Sequence, residues 1–354
     1  MSLLFTPLTL RSVTLPNRIV VSPMCQYSAQ DGVPNTWHLV HLGSRAVGGA
    51  GLVISEAAAV DPRGRITPED AGIWNDEQVG AWKPITSFIK ANGSVPGIQL
   101  AHAGRKASTY SGFTAQRGGV PDAEGGWTPV GPDTQPFADD YRVPEALDEA
   151  GIQQVIRDFA ASARRALDAG FEVIEVHAAH GYLLHEFFSP LSNSRTDQYG
   201  GSLENRIRLT LEVTAAVRAE VGEDVPVLVR VSATDWVDEG WTGDDSVVLA
   251  QKLAEVGADL IDVSTGGNTP RASIPVGPGY QVPFADAIRR KTDVPTGSVG
   301  MITDAKQAEQ VLADGSADLV LLARELLRDP YWPLHAAAQL GAEVRPPVQY
   351  ARAF

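Results

Sequence analysis

A chain of 354 residues has room for two average domains or for one large barrel with insertions. Its 29 basic and 43 acidic side chains, a net charge of −14, provide no basic field against nucleic-acid phosphates or an anionic membrane, so both are excluded as expected partners. Hydrophobic residues at 44% suffice for a sizeable core, Cys25 as the sole cysteine excludes an intrachain disulfide, and no apolar run approaches the length of about 20 residues that spans a bilayer, so a soluble cytoplasmic protein is expected.

The first residues, Leu3 to Ile19, read as a small hairpin around Arg11-Ser12. Arg18 to Ser22 (RIVVS) is then the first core strand, leading into Pro23-Met24-Cys25-Gln26-Tyr27. From there a helix four times runs into a glycine and then a short apolar strand: AVGGAGLVISE from Ala46, LDAGFEVIEV from Leu167, LAEVGADLIDV from Leu253 and LADGSADLVLLA from Leu312. Three further strands follow a Val-Pro step, SVPGIQLAH from Ser94, DVPVLVRVS from Asp224 and DVPTGSVG from Asp293, which brings the total to eight. Asp148 and Ser202 are expected helix caps, as are Asp244 or Asp245, and Thr303. Near-continuous apolar strands alternating with amphipathic helices mean parallel strands covered by helices. A closed (β/α)8 barrel fits best, as a single domain over 1–354. No G-x-G-x-x-G follows the first strand, which argues against an open dinucleotide-binding sheet.

Such a barrel needs roughly 250 residues. The surplus falls mainly in Ala103 to Leu147, rich in Gly, Pro, Asp and Thr, which follows the third strand and is expected to wall or cover the site. Its Tyr110, Phe113, Trp127, Phe137 and Tyr141 argue for an ordered loop. Gly266 to Tyr280 is a second irregular stretch, and the tail from Arg345 to Phe354 (RPPVQYARAF) has no helical pattern.

In this architecture the C-terminal ends of the strands face one site. Strand one delivers Cys25 and Tyr27, strand three Gln99 and His102, strand four His177, His180 and Tyr182, and strand five Arg230. Glu56 reads as the end of strand two, before Ala57-Ala58-Ala59, which offer no chemistry. The loops after strands seven and eight, with Gly297-Ser298-Val299-Gly300 and Ala323-Arg324, stand where barrels of this kind bind phosphate. His177, His180 and His185 leave a metal-dependent hydrolase open, although H-E-x-x-H is absent and hard metals want carboxylates nearby. A pair of acids for glycoside hydrolysis is not found. Amide, guanidinium, thiol and imidazole around a phosphate site suit a flat heterocyclic cofactor, flavin mononucleotide, whose electronics such contacts tune. A flavin-binding protein without turnover is the remaining alternative.

The motifs NRIVVSPMCQYS, GRITPEDAGIW, GIQLAHAGRKA, EVHAAHGYLLHEFFSPLSNSRTDQYGGSLENR, VRVSATD, PGYQVPFA and PVQYARAF resemble the Old Yellow Enzyme family of flavin-dependent ene-reductases, in its shorter bacterial, thermophilic-like class. The resemblance implies FMN as tightly bound cofactor and NADPH, or NADH, as hydride donor. It places Pro23, Met24 and Cys25 along the flavin, Ala57 where the ring approaches closely, and Gln99 and Arg230 at its pyrimidine side. Gly300, Met301, Ala323 and Arg324 would hold the phosphate, Ala323 standing where the family commonly has glycine. His177 and His180 would grip the oxygen of an activated alkene, with Tyr182 as proton donor and Tyr27 at the substrate. His102, Lys106 and His185 are expected to be structural. Arg352, followed by Phe354, would reach a neighbouring subunit's site, implying at least a homodimer.

Overall fold

The computed structural model describes residues 2–353; the expectation for Phe354 lies outside the described residues. Strands β1 (Leu8–Leu10) and β2 (Val13–Leu15) pair antiparallel across a turn in which Arg11 takes a φ of +48°. The barrel then begins with β3 (Ile19–Val21), α1 (Thr36–Val47), β4 (Leu52–Ala59), α2 (Asp76–Ala91) and β5 (Val95–Ala101). Between β5 and the next α-helix the chain carries two single 3-10 turns (Gly104–Lys106 and Asp122–Glu124) and the short parallel pair β6 (Val130–Gly131) and β7 (Glu145–Ala146). There follow α3 (Glu149–Asp168), β8 (Val173–Ala178), α4 (Leu183–Phe188), α5 (Leu203–Val221), β9 (Val227–Ser232), α6 (Gly243–Glu255) and β10 (Leu260–Ser264). The last elements are α7 (Val282–Thr292), β11 (Thr296–Ser298), α8 (Ala305–Ala313), β12 (Leu319–Leu322), α9 (Arg324–Arg328) and α10 (Trp332–Leu340).

Eight parallel strands close in the order β3-β4-β5-β8-β9-β10-β11-β12, with β12 pairing back to β3 through Val20 and Leu321. This is a (β/α)8 barrel. Its strands are buried on both faces, which is why they read as apolar runs without alternation. One apolar cluster lies between strands and helices. A second, with Val20, Leu52, Val95, Val173, Leu228, Leu260 and Leu319, joins alternate residues of the strands with Leu10 and Leu15 of the hairpin. Side chains along a strand alternate in direction, so Val173, Glu175 and His177 share one side of β8, as Leu228 and Arg230 do on β9. The barrel interior is thus apolar at its lower end and polar at its upper end.

Local details refine the expectations. Asp148 and Ser202 cap α3 and α5 as expected. The cap of α6 is Thr242 and not Asp244 or Asp245; its hydroxyl accepts from the Asp245 N–H while the Asp245 carboxylate accepts from that of Thr242. Asp304, not Thr303, caps α8, accepting from the N–H groups of Lys306 and Gln307. Glu56 does not end its strand, because β4 continues to Ala59 through a bulge: Ile54 pairs with Gly97, but Ala57 with Gln99. The long insertion has no α-helix but is tied down, with Thr109 N–H donating to the Ile66 carbonyl at 2.8 Å and Val120 N–H to that of Ser108 at 2.7 Å.

Candidate active site

At the upper end of β8 the chain leaves the barrel through His180 at φ +60° and Gly181 at φ +72°, and Tyr182 then precedes the first turn of α4. A left-handed conformation at a residue with a side chain is costly and is kept where surrounding structure enforces it. Here it sets the His180 ring 5.2 Å from that of His177 and near-perpendicular, while the Tyr182 ring lies 5.0 Å from His177 on another side. The Nδ1 of His177 accepts the Ala179 N–H at 3.2 Å, so the neutral ring carries its proton on Nε2. His180 Nε2 meets Ser264 Oγ at 2.7 Å. Burial, then the Arg230 charge, holds both imidazoles well below their ordinary range, and burial pushes the Tyr182 phenol well above its own. At neutral pH the trio is therefore two neutral imidazoles and a protonated phenol.

Lys106 braces this turn. Its Nζ donates to the carbonyls of His180 at 2.9 Å and Gly267 at 3.0 Å, and lies 5.1 Å from the centre of the Tyr182 ring. Nothing in its sequence neighbourhood announces these partners. His185 turns away, its Nε2 2.9 Å from Asp235 in a fully buried pair, so His177, His180 and His185 do not converge as metal ligands would. His102 is buried, with Nδ1 accepting the Gly104 N–H at 3.0 Å.

The wall across from these residues comes from the end of β3 and from its neighbours. Cys25, Tyr27, Trp127 and Tyr182 pack on Ile66, Ala103 and Ala107. Tyr27 is left-handed at φ +48° and meets the Phe113 ring edge-on at 5.3 Å. Burial pushes the Cys25 thiol up, which keeps it protonated. Pro23 and Met24 are half-buried beside it and Ala57 is buried. Deeper in the barrel, Gln99 Nε2 donates to Glu175 Oε1 at 2.8 Å and Arg230 Nε stands 3.0 Å from Asp262 Oδ2. The sequence reading does not reach Glu175 and Asp262, whose partners Gln99 and Arg230 lie on other strands.

Beyond Arg230 lies a cavity of ≈ 240 Å³ lined by Ser264, Gln281, Gly300, Met301, Ala323 and Arg324. Gly300 has φ +124°, and a Cβ there would come within 2.8 Å of Gln281 Nε2. Among the described residues no acceptor meets the N–H groups of Gly300 and Met301. Free backbone donors, a basic side chain and space kept by glycine fit a phosphate, while Gln99 and Arg230 fit the polar edge of a ring. Of the expected cofactor contacts, Arg230, Gly300, Met301, Ala323 and Arg324 thus line one cavity, and Cys25 lies in the cluster with Tyr27 and Tyr182. Arg352 is exposed, and no contact among the described residues links it to this cluster.

Comparison with known proteins matches residues 3–343 to the NADH:flavin oxidoreductase / NADH oxidase family. The chain belongs to this family. An NADPH dehydrogenase of Geobacillus sp. (strain WCH70) is 50% identical over 355 residues, covering 100% of this chain and 99% of that protein. An old yellow enzyme homologue from Zymomonas mobilis superposes with a TM-score of 0.79 at 28% identity, over 98% of this chain and 95% of the other. A 2-naphthoyl-CoA reductase gives 0.87 at 26% identity over 96% of this chain, which spans about half of it, 52%. As an NADH:flavin oxidoreductase the protein is an NAD(P)H-dependent enzyme of the Old Yellow Enzyme group, and the hydrolase and non-catalytic readings give way. No helix among the described residues is long and apolar enough to cross a membrane.

Proposed function

We propose that this NADH:flavin oxidoreductase is an FMN-dependent ene-reductase. It would take hydride from NADPH, or NADH, and in a second, ping-pong half-reaction reduce the activated C=C bond of an α,β-unsaturated ketone, aldehyde, maleimide or nitroalkene. The observation that carries this reading is the clustering of the His180 and Tyr182 rings edge-on against His177 at 5.2 and 5.0 Å, with His177 held as the Nε2–H tautomer. FMN, when bound, supplies the hydride. Pro23, Met24, Cys25 and Ala57 would line it, Gln99 and Arg230 contact its pyrimidine side, and Gly300, Met301, Ala323 and Arg324 hold its phosphate.

His177 and His180 act as neutral donors to the substrate's carbonyl or nitro oxygen. Negative charge grows on that oxygen as the alkene is reduced, so donors fixed beforehand stabilise the transition state more than the bound substrate. Tyr182 keeps its proton at neutral pH and gives it to the neighbouring carbon. Tyr27, in one cluster with Tyr182, would contact the substrate. Arg352 is proposed to complete the site of a neighbouring subunit in a homodimer or larger assembly, and the single, unpaired Cys25 accords with a reducing cytoplasm.

Visible absorption under anaerobic conditions tests the whole sequence. Flavin bands should bleach with NADPH and return with cyclohexenone; a protein that takes up no FMN removes the cofactor assignment. Tyr182→Phe should slow reoxidation by the enone on the order of 10²-fold or more, as loss of a general acid does. Bleaching by NADPH should persist in that variant, and equal rates in both half-reactions would remove Tyr182 as the donor.

A further inference from the structure

The barrel holds more acid than the proposed reaction uses. Glu175 on β8 and Asp262 on β10 are both fully buried, with β9 between them. Glu175 pairs in register with Gln99 on one side and Leu228 on the other, and Asp262 with Arg230. Glu175 Oε1 accepts from Gln99 Nε2 at 2.8 Å, and Asp262 Oδ2 lies 3.0 Å from Arg230 Nε. In-register pairing of Glu175 with Leu228 and of Asp262 with Arg230 puts both carboxyl groups on the face of the sheet that turns into the barrel, one strand apart, and the influence of each on the other's protonation accords with this. Yet Glu175 Oε2 and Asp262 Oδ1 meet no donor among the described residues.

Two carboxylates cannot hydrogen-bond to each other; a carboxylic acid and a carboxylate can. With both ionised, the guanidinium of Arg230 balances only one of two buried negative charges, and an uncompensated charge in such a place is strongly unfavourable. With one proton between them the group is neutral and the orphaned oxygens find a partner. Asp262 has the cation beside it, so the proton belongs on Glu175. Burial, then the Asp262 charge, pushes Glu175 up to about 8, in keeping with this assignment.

We propose that Glu175 and Asp262 share one proton, carried by Glu175, and that this pair is a positioning device for the flavin contacts. Because the bond to Glu175 turns the Gln99 amide nitrogen, with one of its two N–H groups, away from the ligand, the carboxamide oxygen is the end presented and recognises an N–H edge. Because Asp262 balances Arg230, the site meets a ring gaining negative charge with a moderated positive field. The second half of the inference rests on the flavin reading, and the first half does not.

Glu175→Gln and Asp262→Asn separate the possibilities. A glutamine imitates a protonated glutamate in shape and charge, accepting from Gln99 and donating to Asp262. In the FMN-loaded protein it should keep the two-electron equilibrium within about threefold of wild type, about 15 mV. Asp262→Asn leaves Arg230 unbalanced and should favour the reduced state by tenfold or more, about 30 mV upward. Infrared spectra should show a carboxylic-acid C=O band that vanishes in Glu175→Gln. That band should be present with or without flavin. Its absence from wild type overturns the shared proton, as does a Glu175→Gln potential raised as far as that expected for Asp262→Asn. If Asp262→Asn does not fold, Glu175→Gln and the infrared band decide the matter alone. A chain that keeps the band but binds no FMN overturns the positioning role and the flavin reading, and leaves the proton assignment standing.

Discussion

Glu186 shows how much a single side chain gives up to sit where it does. It is fully buried in the helix that follows the turn of His180 and Gly181, its Oε1 accepts the Arg105 N–H at 2.8 Å, and among the described residues its Oε2 meets no donor. Burial pushes its carboxyl up to about 8, against the opposing pull of Arg105. A folded-state pKa above the unfolded one means that the folded protein holds the proton more tightly. The stability this gives is complete below the ordinary carboxylate range and is lost as pH rises, fully once past about 8. Glu186→Gln removes the titration. The urea midpoint of the variant should therefore gain on wild type steadily between about pH 5 and pH 8. A constant difference across that range would show that Glu186 is ionised in the fold. Lys106 and Glu186 share a lesson about reading residues. Each has partners far away in sequence, 161 residues for the bond from Lys106 to Gly267, so no local pattern could reveal them.

At the scale of elements, most of what the chain builds was legible. Apolar strands bounded by glycine or by Val-Pro gave the barrel, because parallel strands buried on both faces have only one kind of sequence. Caps were less legible where several candidates crowd together. In Thr242-Gly243-Asp244-Asp245 three residues can cap, and the structure selects Thr242 because its hydroxyl and the Asp245 carboxylate satisfy each other's backbone N–H. Thr242→Ala should accordingly lower stability by about 1 kcal/mol in urea unfolding. Asp244 makes an exposed ion pair with Lys291 at 3.0 Å, and Asp244→Ala should cost about 0.5 kcal/mol or less. The reverse order would restore Asp244 as the cap. The strand-end residues Cys25, Gln99, His177 and Arg230 were legible for the same reason as the barrel, since its closure turns every strand end to one face. Glu175 and Asp262 were not, because an acid inside an apolar strand looks like an interruption until its neighbours across the sheet are known.

The whole molecule presents its tail as the least anchored part of the proposed machinery. Tyr350 packs its ring 5.9 Å from that of Tyr331, and Arg352 beyond it is exposed. If the tail serves a neighbouring subunit, sedimentation should give a dimer or larger species, and Arg352→Ala should raise KM for the alkene on the order of tenfold while the thermal midpoint stays in place, as expected for a surface change. A monomer with unchanged KM would remove the tail from the site.

The bulge in β4 makes the chain's length a specification in one place and a free parameter in another. Between Ile54 and Ala57 the strand carries one residue more than β5 opposite it. The extra residue makes room for Glu56, whose carboxylate meets His38 Nε2 at 3.0 Å and accepts the Gln26 N–H at 3.0 Å, so losing Ser55 or Glu56 would erase the bulge and with it this brace beside Cys25. Natural variants of this chain should therefore lengthen and shorten within 121–125, an exposed turn of the long insertion, while single-residue deletions in 52–59 stay absent. A deletion scan scored by flavin retention would read that contrast directly.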